Sequence, residues 1–413
     1  MRKSLLGAVG ALAIASAAQV QVAQAQISDD AVKIGVIQDF SGLYADLVGN
    51  SSLLAVQMAV EDFGGKVLGK PIQVMYADHQ NKPDIASNVV RQWWDVDKLD
   101  LAQGVGTSSV GLAIRAMAKE RGKLDINTGA ASSDLTGKAC SPTGFHWVYD
   151  TYALAKVTGS ATVKSGGDSW FFLTADYAFG HALERDVTAF VKNGGGKVLG
   201  GVRHPLSTSD FSSFLLQAQA SKAKVVGLAN AGGDTINSIK QASEFGIVAG
   251  GQRLAGLLVF ITDIHALGLK TSQGLVLSES FYWDMTDETR KFAKRFAERR
   301  KQMPGGKELY PNMLNAGDYE STLHYLKAIE AVGTDDPVKV AAKMREMPIN
   351  SFYAKDVKIR EDGRVMRPFH LFQVKAPSES KGPWDYYKHL QTVSGEEAFR
   401  PAAESECPLL KKS

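Results

Sequence analysis

The sequence contains few cysteines and no marked excess of either charge. It has two cysteines in 413 residues, and its 47 basic residues are nearly balanced by 44 acidic ones, which leaves a formal net charge of +3. A charge so close to zero does not favour binding to nucleic acid or to an anionic membrane. Hydrophobic residues make up 44% and charged residues 22%, the usual balance of a soluble globular protein. The length exceeds that of one compact domain, so we expect two lobes.

Motifs for catalysis, cofactors and metals are also missing. The Gly-Gly-Gly-Lys run at 194–197 is followed by Val198 rather than Ser or Thr, so it does not form a phosphate-binding loop. The stretch 106–111 is similar to a nucleophile elbow, but its second glycine comes one residue late, so a hydrolase that uses Ser108 is the weaker interpretation. The eight histidines are scattered and form no His-x-x-x-His pair. We therefore predict no catalytic residue, no cofactor and no metal ion, and a binding protein rather than an enzyme.

The N-terminus has the parts of a signal peptide. Its start is basic, residues 5–18 are apolar or small, and residues 23–25 (Ala-Gln-Ala) match the small-x-small cleavage rule. We predict a signal peptide over residues 1–25, cleaved after Ala25. An anchor helix is the alternative, but the apolar run is shorter than the roughly 20 residues that span a bilayer. No other stretch is long and apolar enough to cross a membrane, so we expect an exported protein.

The two cysteines, Cys140 and Cys407, would enter an oxidising compartment after export. Exported proteins seldom keep free thiols, so we predict a disulfide between them. This bond would join the C-terminal tail to the loop 138–144. Two separate thiols are the alternative.

Short apolar runs alternate with helical patterns along the chain. Such strand-helix-strand order specifies a parallel sheet covered on both faces, so we predict an α/β fold. The first set comprises strands 32–37, 72–76, 101–105 and 124–126 with helices 53–63, 84–96 and 109–121. The second set comprises strands 169–173, 198–202, 225–229, 254–260 and 274–277 with helices 152–164, 180–192, 210–220 and 234–245. We expect the second set to form a second sheet of the same parallel kind.

The chain is mostly helical after residue 279. We predict helices at 286–301, 315–332 and 337–344. They have no strands of their own, so we expect them to pack against the first lobe. Late strands are predicted at 357–359 and 369–374.

The loops that follow the predicted strands carry hydroxyl groups and aromatic rings. In open parallel sheets, ligands bind beyond the carboxyl ends of the strands. This rule selects the loops 39–50, 106–109, 128–133, 175–179, 230–234 and 260–263. They contain the hydroxyls of Thr107, Ser108 and Ser132 and the rings of Tyr44, Tyr177, Phe179 and Phe260. The composition suits the capture of a small molecule between two lobes.

Five segments resemble the type I periplasmic binding proteins of the leucine/isoleucine/valine-binding family. They are the strand 32–37 with the Ser-Gly pair at 41–42, the segments 104–109, 127–136 and 176–180, and the helix 316–329. The resemblance covers nearly the whole mature chain. It implies two Rossmann-like lobes with parallel central sheets, a three-segment hinge and closure around a small-molecule ligand.

The resemblance also implies a place and a partner. The chain would be a periplasmic monomer, and its partners would be the membrane permease subunits of an ABC importer. We expect lobe I to comprise residues 26–148 and 280–365. Lobe II would comprise residues 149–279 and 366–413.

The amino-acid pocket of that family carries over in part. The loop that meets the ligand carboxylate looks intact at Gly106, Thr107 and Ser108. The other implied ligand-binding positions are Gly129, Ala131, Ser132, Phe179, Asn230, Ala231 and Tyr319. A tyrosine that the family places near Asn230 is replaced by Ala231 or Gly232. In the family, an acid pairs with the ligand's ammonium. The matching position here falls within the apolar run 257–260, so the acid is missing there, and Asp263 remains a candidate for its role.

The missing acid changes the expected ligand. A buried ammonium without a carboxylate partner is costly, so an α-amino acid fits poorly. A carboxylate with an aromatic body fits better, with Thr107 and Ser108 on the acid and the rings of Tyr44, Phe179, Phe260 and Tyr319 around the body. Asp46 would receive a ring hydroxyl or cap a helix.

The segments 41–46 and 140–150 resemble the subgroup associated with benzoates and phenylpropenoids. We therefore expect an aromatic acid as the cargo. Binding of branched-chain or other amino acids for transport is the alternative. A soluble ligand-sensing domain for a signalling partner is the alternative from another class, because the same fold serves sensors.

Overall fold

The computed structural model describes residues 27–410. The predicted signal peptide, residues 1–25, lies outside these residues. Within the described range, no helix combines the length and the apolar character needed to cross a bilayer.

Six strands form the first sheet. They are β1 (Val32–Gln38), β2 (Lys66–Val67), β3 (Lys70–Asp78), β4 (Leu101–Gly104), β5 (Leu124–Asn127) and β6 (Gly144–His146), in the spatial order β2-β3-β1-β4-β5-β6. All neighbours are parallel except the β2–β3 hairpin. The connecting helices are α1 (Gly49–Phe63), α2 (Pro83–Asp95) and α3 (Ser108–Arg121). Val32, Ile34 and Val36 of β1 are fully buried, as expected for a parallel strand covered on both faces.

The strand order places a switch point between β1 and β4. From β1 the chain moves to β3 on one side, and then crosses to β4 on the other side. The crevice beyond the carboxyl ends of two such strands is where ligands bind in open α/β sheets. The loops after Gln38 and Gly104 therefore lie at the predicted site.

Four parallel strands form the second sheet. They are β7 (Ser169–Ala175), β8 (Lys197–His204), β9 (Val225–Ala229) and β10 (Arg253–Gly256), in the order β10-β9-β7-β8. The helices around them are α4 (Thr151–Leu154), α5 (Ser160–Lys164), α6 (Ala178–Asn193), α7 (Ser212–Ala220), α8 (Gly233–Glu244), α9 (Ile261–Leu267) and α10 (Leu269–Ser272). A π-helical turn, 155–159, separates α4 from α5. The α/β class with two parallel sheets is thus confirmed.

The last strands form a third, antiparallel sheet. β11 (Val276–Glu279) pairs with β12 (Phe369–Val374), which pairs with β13 (Tyr387–Val393). The prediction that the strand near 274–277 belongs to the second parallel sheet is therefore wrong, because β11 pairs instead with a strand from the C-terminal part. The predicted strand 357–359 is reduced to two isolated bridges, Ile349 to Val357 and Ile359 to Val365.

The late helices pack against the first lobe, as expected. They are α11 (Asp287–Arg300), α12 (Met313–Val332) and α13 (Pro337–Glu346), and the short α14 (Gly395–Ala398) follows β13. α12 lies along α1, and Arg299 of α11 forms an ion pair with Glu61 of α1 at 2.7 Å. α12 begins where the Asn312 side chain accepts hydrogen bonds from the N–H groups of Leu314 and Asn315.

A disulfide joins Cys140 to Cys407, with the two Cα atoms 5.8 Å apart. It attaches the C-terminal tail to the loop before β6. The bond closes a covalent loop of 267 residues that contains the whole second sheet.

Candidate ligand-binding site

A cavity lies where the carboxyl ends of both parallel sheets face each other. Its wall takes residues that follow β1, β4 and β5 in the first sheet and β7, β9 and β10 in the second. The lining residues are Tyr44, Leu47, Val48, Gly106, Thr107, Ser108, Gly129, Ala131, Tyr149, Tyr177, Phe179, Ala231, Leu258, Phe260 and Leu314. Nine of them were predicted from the sequence: Tyr44, Gly106, Thr107, Ser108, Gly129, Ala131, Phe179, Ala231 and Phe260.

The first polar part of the wall is the start of α3. Thr107 precedes the helix in an extended conformation and its side chain makes no capping hydrogen bond. Its hydroxyl is buried and has no hydrogen-bond partner among the described residues. The first amides of a helix also lack partners within the helix. This end of the cavity therefore offers an unused hydroxyl and a helix N-terminus, which together favour an anion.

Ser108 has a different role from its neighbour. Its hydroxyl oxygen accepts hydrogen bonds from the N–H groups of Ala131 and Ser132, at 3.1 and 3.0 Å. These bonds tie the loop after β5 to the start of α3. Ser108 therefore shapes the wall that it lines.

The loop after β5 approaches that after β4 very closely. A Cβ atom on Gly129 would lie 2.9 Å from the Cα atom of Gly106, so no larger residue fits there without a shift. The carbonyl of Gly129 accepts a hydrogen bond from the Tyr149 hydroxyl at 2.7 Å. The ring of Tyr149 in turn meets that of Phe260 edge to face, with the centroids 6.4 Å apart.

Two tyrosines close the cavity across the cleft. Tyr44 follows β1 of the first sheet, Tyr177 follows β7 of the second, and their hydroxyl oxygens lie 2.9 Å apart. Gly232, at a positive φ of 58°, would place a Cβ atom 2.9 Å from the Tyr44 ring. The ring therefore fits against the second lobe only because this loop has no side chain at that point. Since the two tyrosines meet across the cleft, the structure represents the closed state.

The wall has no charged group. None of the lining residues, all from the described range, is Asp, Glu, Lys, Arg or His. Asp263, the remaining candidate for pairing with a ligand ammonium, does not line the cavity. Its carboxylate accepts the N–H of Phe260 at 2.9 Å and so caps α9, and burial raises its pKa to about 7. The positive end of α3 is therefore not opposed by a carboxylate on the wall.

Four predicted ligand-binding residues do not line the cavity. Asp46 points to solvent, with 79% of its side chain exposed, and faces Lys307 at 3.9 Å. The Ser132 hydroxyl accepts the N–H of Asp134 instead. Asn230 is buried among polar side chains, where its carbonyl oxygen accepts a hydrogen bond from Thr235 at 2.7 Å.

Tyr319 is the fourth of these residues. It lies on the face of α12 that packs between α1 and α11, where its hydroxyl donates to Asp62 of α1 at 2.5 Å and its ring centroid is 5.0 Å from that of Phe292. The resemblance placed a tyrosine on the correct helix, but the side chain points away from the cleft.

Six lining residues were not among the predicted ligand-binding positions: Leu47, Val48, Tyr149, Tyr177, Leu258 and Leu314. Tyr177 belongs to a loop that the sequence had selected, so its loop position was the available signal. Leu47, Val48 and Leu258 are apolar, and their sequence pattern does not distinguish them from residues of the hydrophobic core. Tyr149 follows β6, a strand that was not predicted, and Leu314 lies on α12, so only the folded chain brings them to the cleft.

Three comparisons with known proteins agree with this architecture. Residues 31–383 match the model of a family described as periplasmic binding protein. A periplasmic binding protein from Burkholderia mallei is 55% identical with a TM-score of 0.89, over 92% of this chain and 100% of that chain. A branched chain amino acid ABC transporter periplasmic ligand-binding protein from Burkholderia xenovorans is 38% identical with a TM-score of 0.80, also over 92% and 100%.

A more distant structure shares the fold. It is an ABC transporter solute-binding protein from R. palustris in complex with benzoate, 21% identical, with a TM-score of 0.77 over 88% of this chain and 96% of that chain. At this identity the likeness concerns the fold alone.

Proposed function

We propose that this chain, which belongs to the periplasmic binding protein family, captures a small organic carboxylate with an aromatic body in its closed cleft. The chain is an ABC-type periplasmic substrate-binding protein, and proteins of this family are generally not enzymes. The cargo, the site residues and the importer are the parts that we propose.

One observation carries the choice of cargo. The cavity combines the N-terminus of α3 and the unpartnered Thr107 hydroxyl with a wall that has no charged side chain in the described chain. An α-amino acid would bring its ammonium into this wall without a carboxylate partner, which is costly in a buried site. A carboxylate without an ammonium brings only the charge that the helix start favours.

The lining of the cavity supports an aromatic body. The rings of Tyr149, Phe179 and Phe260 lie around the cavity. Offset or edge-to-face contacts with a ligand ring would add to the burial of apolar surface.

The remaining steps follow from the family. The signal peptide 1–25 would direct the chain to the periplasm, and the two lobes with the bounds predicted above would close on the ligand as a monomer. A ligand that contacts both lobes favours the closed state by its differential affinity. The closed receptor would then deliver the ligand to the permease subunits of an ABC importer.

Branched-chain amino-acid binding is the second candidate, because the 38% identical neighbour carries that description. It would require a water molecule or a backbone carbonyl to hold the ammonium in place of an acid. The two candidates differ in one measurable property, which is the response to the ammonium group.

Isothermal titration calorimetry of the purified mature protein tests the proposal. We expect benzoate or p-coumarate to bind at micromolar or lower concentration and leucine not to bind. Benzamide is the matched control, since it keeps the ring and loses the charge, and it should bind at least tenfold more weakly than benzoate. Tight leucine binding without binding of either aromatic acid would refute the proposed cargo.

A further inference from the structure

The Tyr44–Tyr177 pair has one more hydrogen than the protein uses. Each hydroxyl carries one hydrogen and can accept others. One hydrogen is consumed in the 2.9 Å bond between the two oxygens. Neither hydroxyl has a further hydrogen-bond partner among the described residues. One O–H group of the pair is thus left with its hydrogen unpaired.

Water can accept a hydrogen bond from this O–H group only in part, because both tyrosines are at least partly buried. Tyr44 is 4% exposed, and Tyr177 is partly buried. Burial raises the pKa of both phenols well above the usual range, so both remain protonated at neutral pH. A buried O–H donor without an acceptor costs roughly 1–3 kcal/mol relative to a paired one.

The other polar groups of the wall are already engaged or serve the carboxylate. The Tyr149 hydroxyl donates to Gly129. The Ser108 oxygen accepts two backbone N–H groups, and its own hydrogen, like the Thr107 hydroxyl, lies at the α3 end, where we place the acid. The tyrosine pair is therefore the polar group that stays available to a second substituent of the ligand.

We infer that Tyr44 and Tyr177 form a clamp, one residue from each lobe, that reads a hydroxyl group on the ring of the bound carboxylate. A ligand hydroxyl beside the pair would complete a ring of three hydroxyls, in which each oxygen donates one hydrogen bond and accepts one. The preferred cargo is then a hydroxylated aromatic acid. This inference rests on the proposed function and deepens it.

The clamp also couples specificity to closure. The two oxygens come from loops after β1 and β7, which belong to different sheets, so they meet only when the cleft is closed. A ligand that satisfies the spare hydrogen stabilises the closed state and leaves the open state unaffected. A methyl group in the same place would fill the volume without accepting the bond.

Calorimetry with matched ligands tests the clamp. The probes are 3- and 4-hydroxybenzoate against 3- and 4-methylbenzoate, in which a methyl group replaces the hydroxyl at similar volume. We expect one hydroxybenzoate to bind the unmodified protein at least tenfold more tightly than its methyl counterpart. Tyr177→Phe and Tyr44→Phe should each reduce this ratio to threefold or less.

Tyr325→Phe is the matched control variant. The Tyr325 hydroxyl is buried on α12 without a partner among the described residues, and it does not line the cavity. This variant should keep the tenfold ratio, and thermal melting should show all three variants folded. The clamp is refuted if the acids bind with no preference for the hydroxyl, or if both clamp variants keep the full preference. Failure of every aromatic acid to bind would instead refute the proposed cargo, and the clamp with it.

Discussion

Thr107 and Ser108 are adjacent hydroxyl residues in the loop after β4, but their environments separate their roles. The Ser108 oxygen is occupied by two backbone N–H groups of the neighbouring loop. The Thr107 hydroxyl is buried with no partner among residues 27–410. The sequence assigned both to the ligand carboxylate. Thr107 keeps its whole hydroxyl for the ligand, whereas Ser108 can offer only the hydrogen of its O–H group.

Replacement of Thr107 by Val removes this hydroxyl while keeping the shape of the side chain. We expect Thr107→Val to weaken benzoate binding about tenfold, which corresponds to roughly 1.4 kcal/mol, because a hydrogen bond to a charged group is lost. Thr174→Val is the control, since Thr174 on β7 also has a buried hydroxyl without a described partner but does not line the cavity. Calorimetry should find its affinity unchanged. An equal loss in both variants would mean that Thr107 does not contact the ligand.

Element boundaries decide which side chains reach the cleft. The apolar run 254–260 predicts one strand, but β10 ends at Gly256 and α9 begins at Ile261. The Asp263 carboxylate accepts the N–H of Phe260 and starts the helix, so the chain turns between these elements. Leu258 and Phe260 reach the cavity because of this turn. A continuous apolar run does not by itself distinguish a buried strand from a buried turn.

Glu279 lies at another such boundary, the end of β11. Its Oε1 atom accepts a hydrogen bond from Tyr387 of β13 at 2.8 Å, and the amides that begin α9 and α12, those of Ile261 and Met313, lie close to it. Burial is the largest effect on this carboxyl, and it raises the pKa to about 8, with Asp263 adding to the shift. At neutral pH, the charged form of Glu279 is therefore less stable than the protonated form in the folded protein.

The sign of the pH dependence follows. Between the ordinary pKa of 4.5 and about 8, the folded protein holds a proton that the unfolded chain has released. Stability contributed by Glu279 is therefore present at low pH and is lost as the pH rises through this interval.

We expect Glu279→Gln to flatten the fall in melting temperature between pH 5 and 8.5 and to melt above the unmodified protein at the upper end. Glu330→Gln, on an exposed site of α12, should follow the unmodified curve. Parallel curves for both variants would contradict the assignment.

The whole molecule is organised around one cleft whose walls come from both sheets. Tyr44 reaches the loop of Gly232, and the late helix α12 contributes Leu314 to the cavity. The C-terminal tail is fixed separately, through Cys407 to the loop before β6.

Loss of the disulfide should therefore change stability and not affinity. Cys140→Ser combined with Cys407→Ser frees a loop of 267 residues, and removal of such a bond costs roughly 2–5 kcal/mol. We expect a lower melting temperature for the double variant, and the same loss when reductant is added to the unmodified protein. Benzoate affinity should stay the same, because neither cysteine lines the cavity. An unchanged melting temperature in both experiments would contradict this.

The sequence by itself determined the fold class and most of the strand ends that surround the site. Strands such as β1 and β9 were predicted within two residues, because a parallel strand buried on both faces is a short apolar run with clear stops. It also selected the loops after β1, β4, β5, β7 and β9, because ligands in open parallel sheets bind beyond the carboxyl ends of the strands.

Only the tertiary structure decided which side chains in these loops face the ligand. The resemblance assigned Tyr319 and Asn230 to the site, yet their side chains bond to residues of α1 and α8 and do not face the cavity. The β11–β12 pairing and the Tyr44–Tyr177 contact join residues more than 90 positions apart. No local pattern encodes such contacts, because they bring together segments that are distant along the chain.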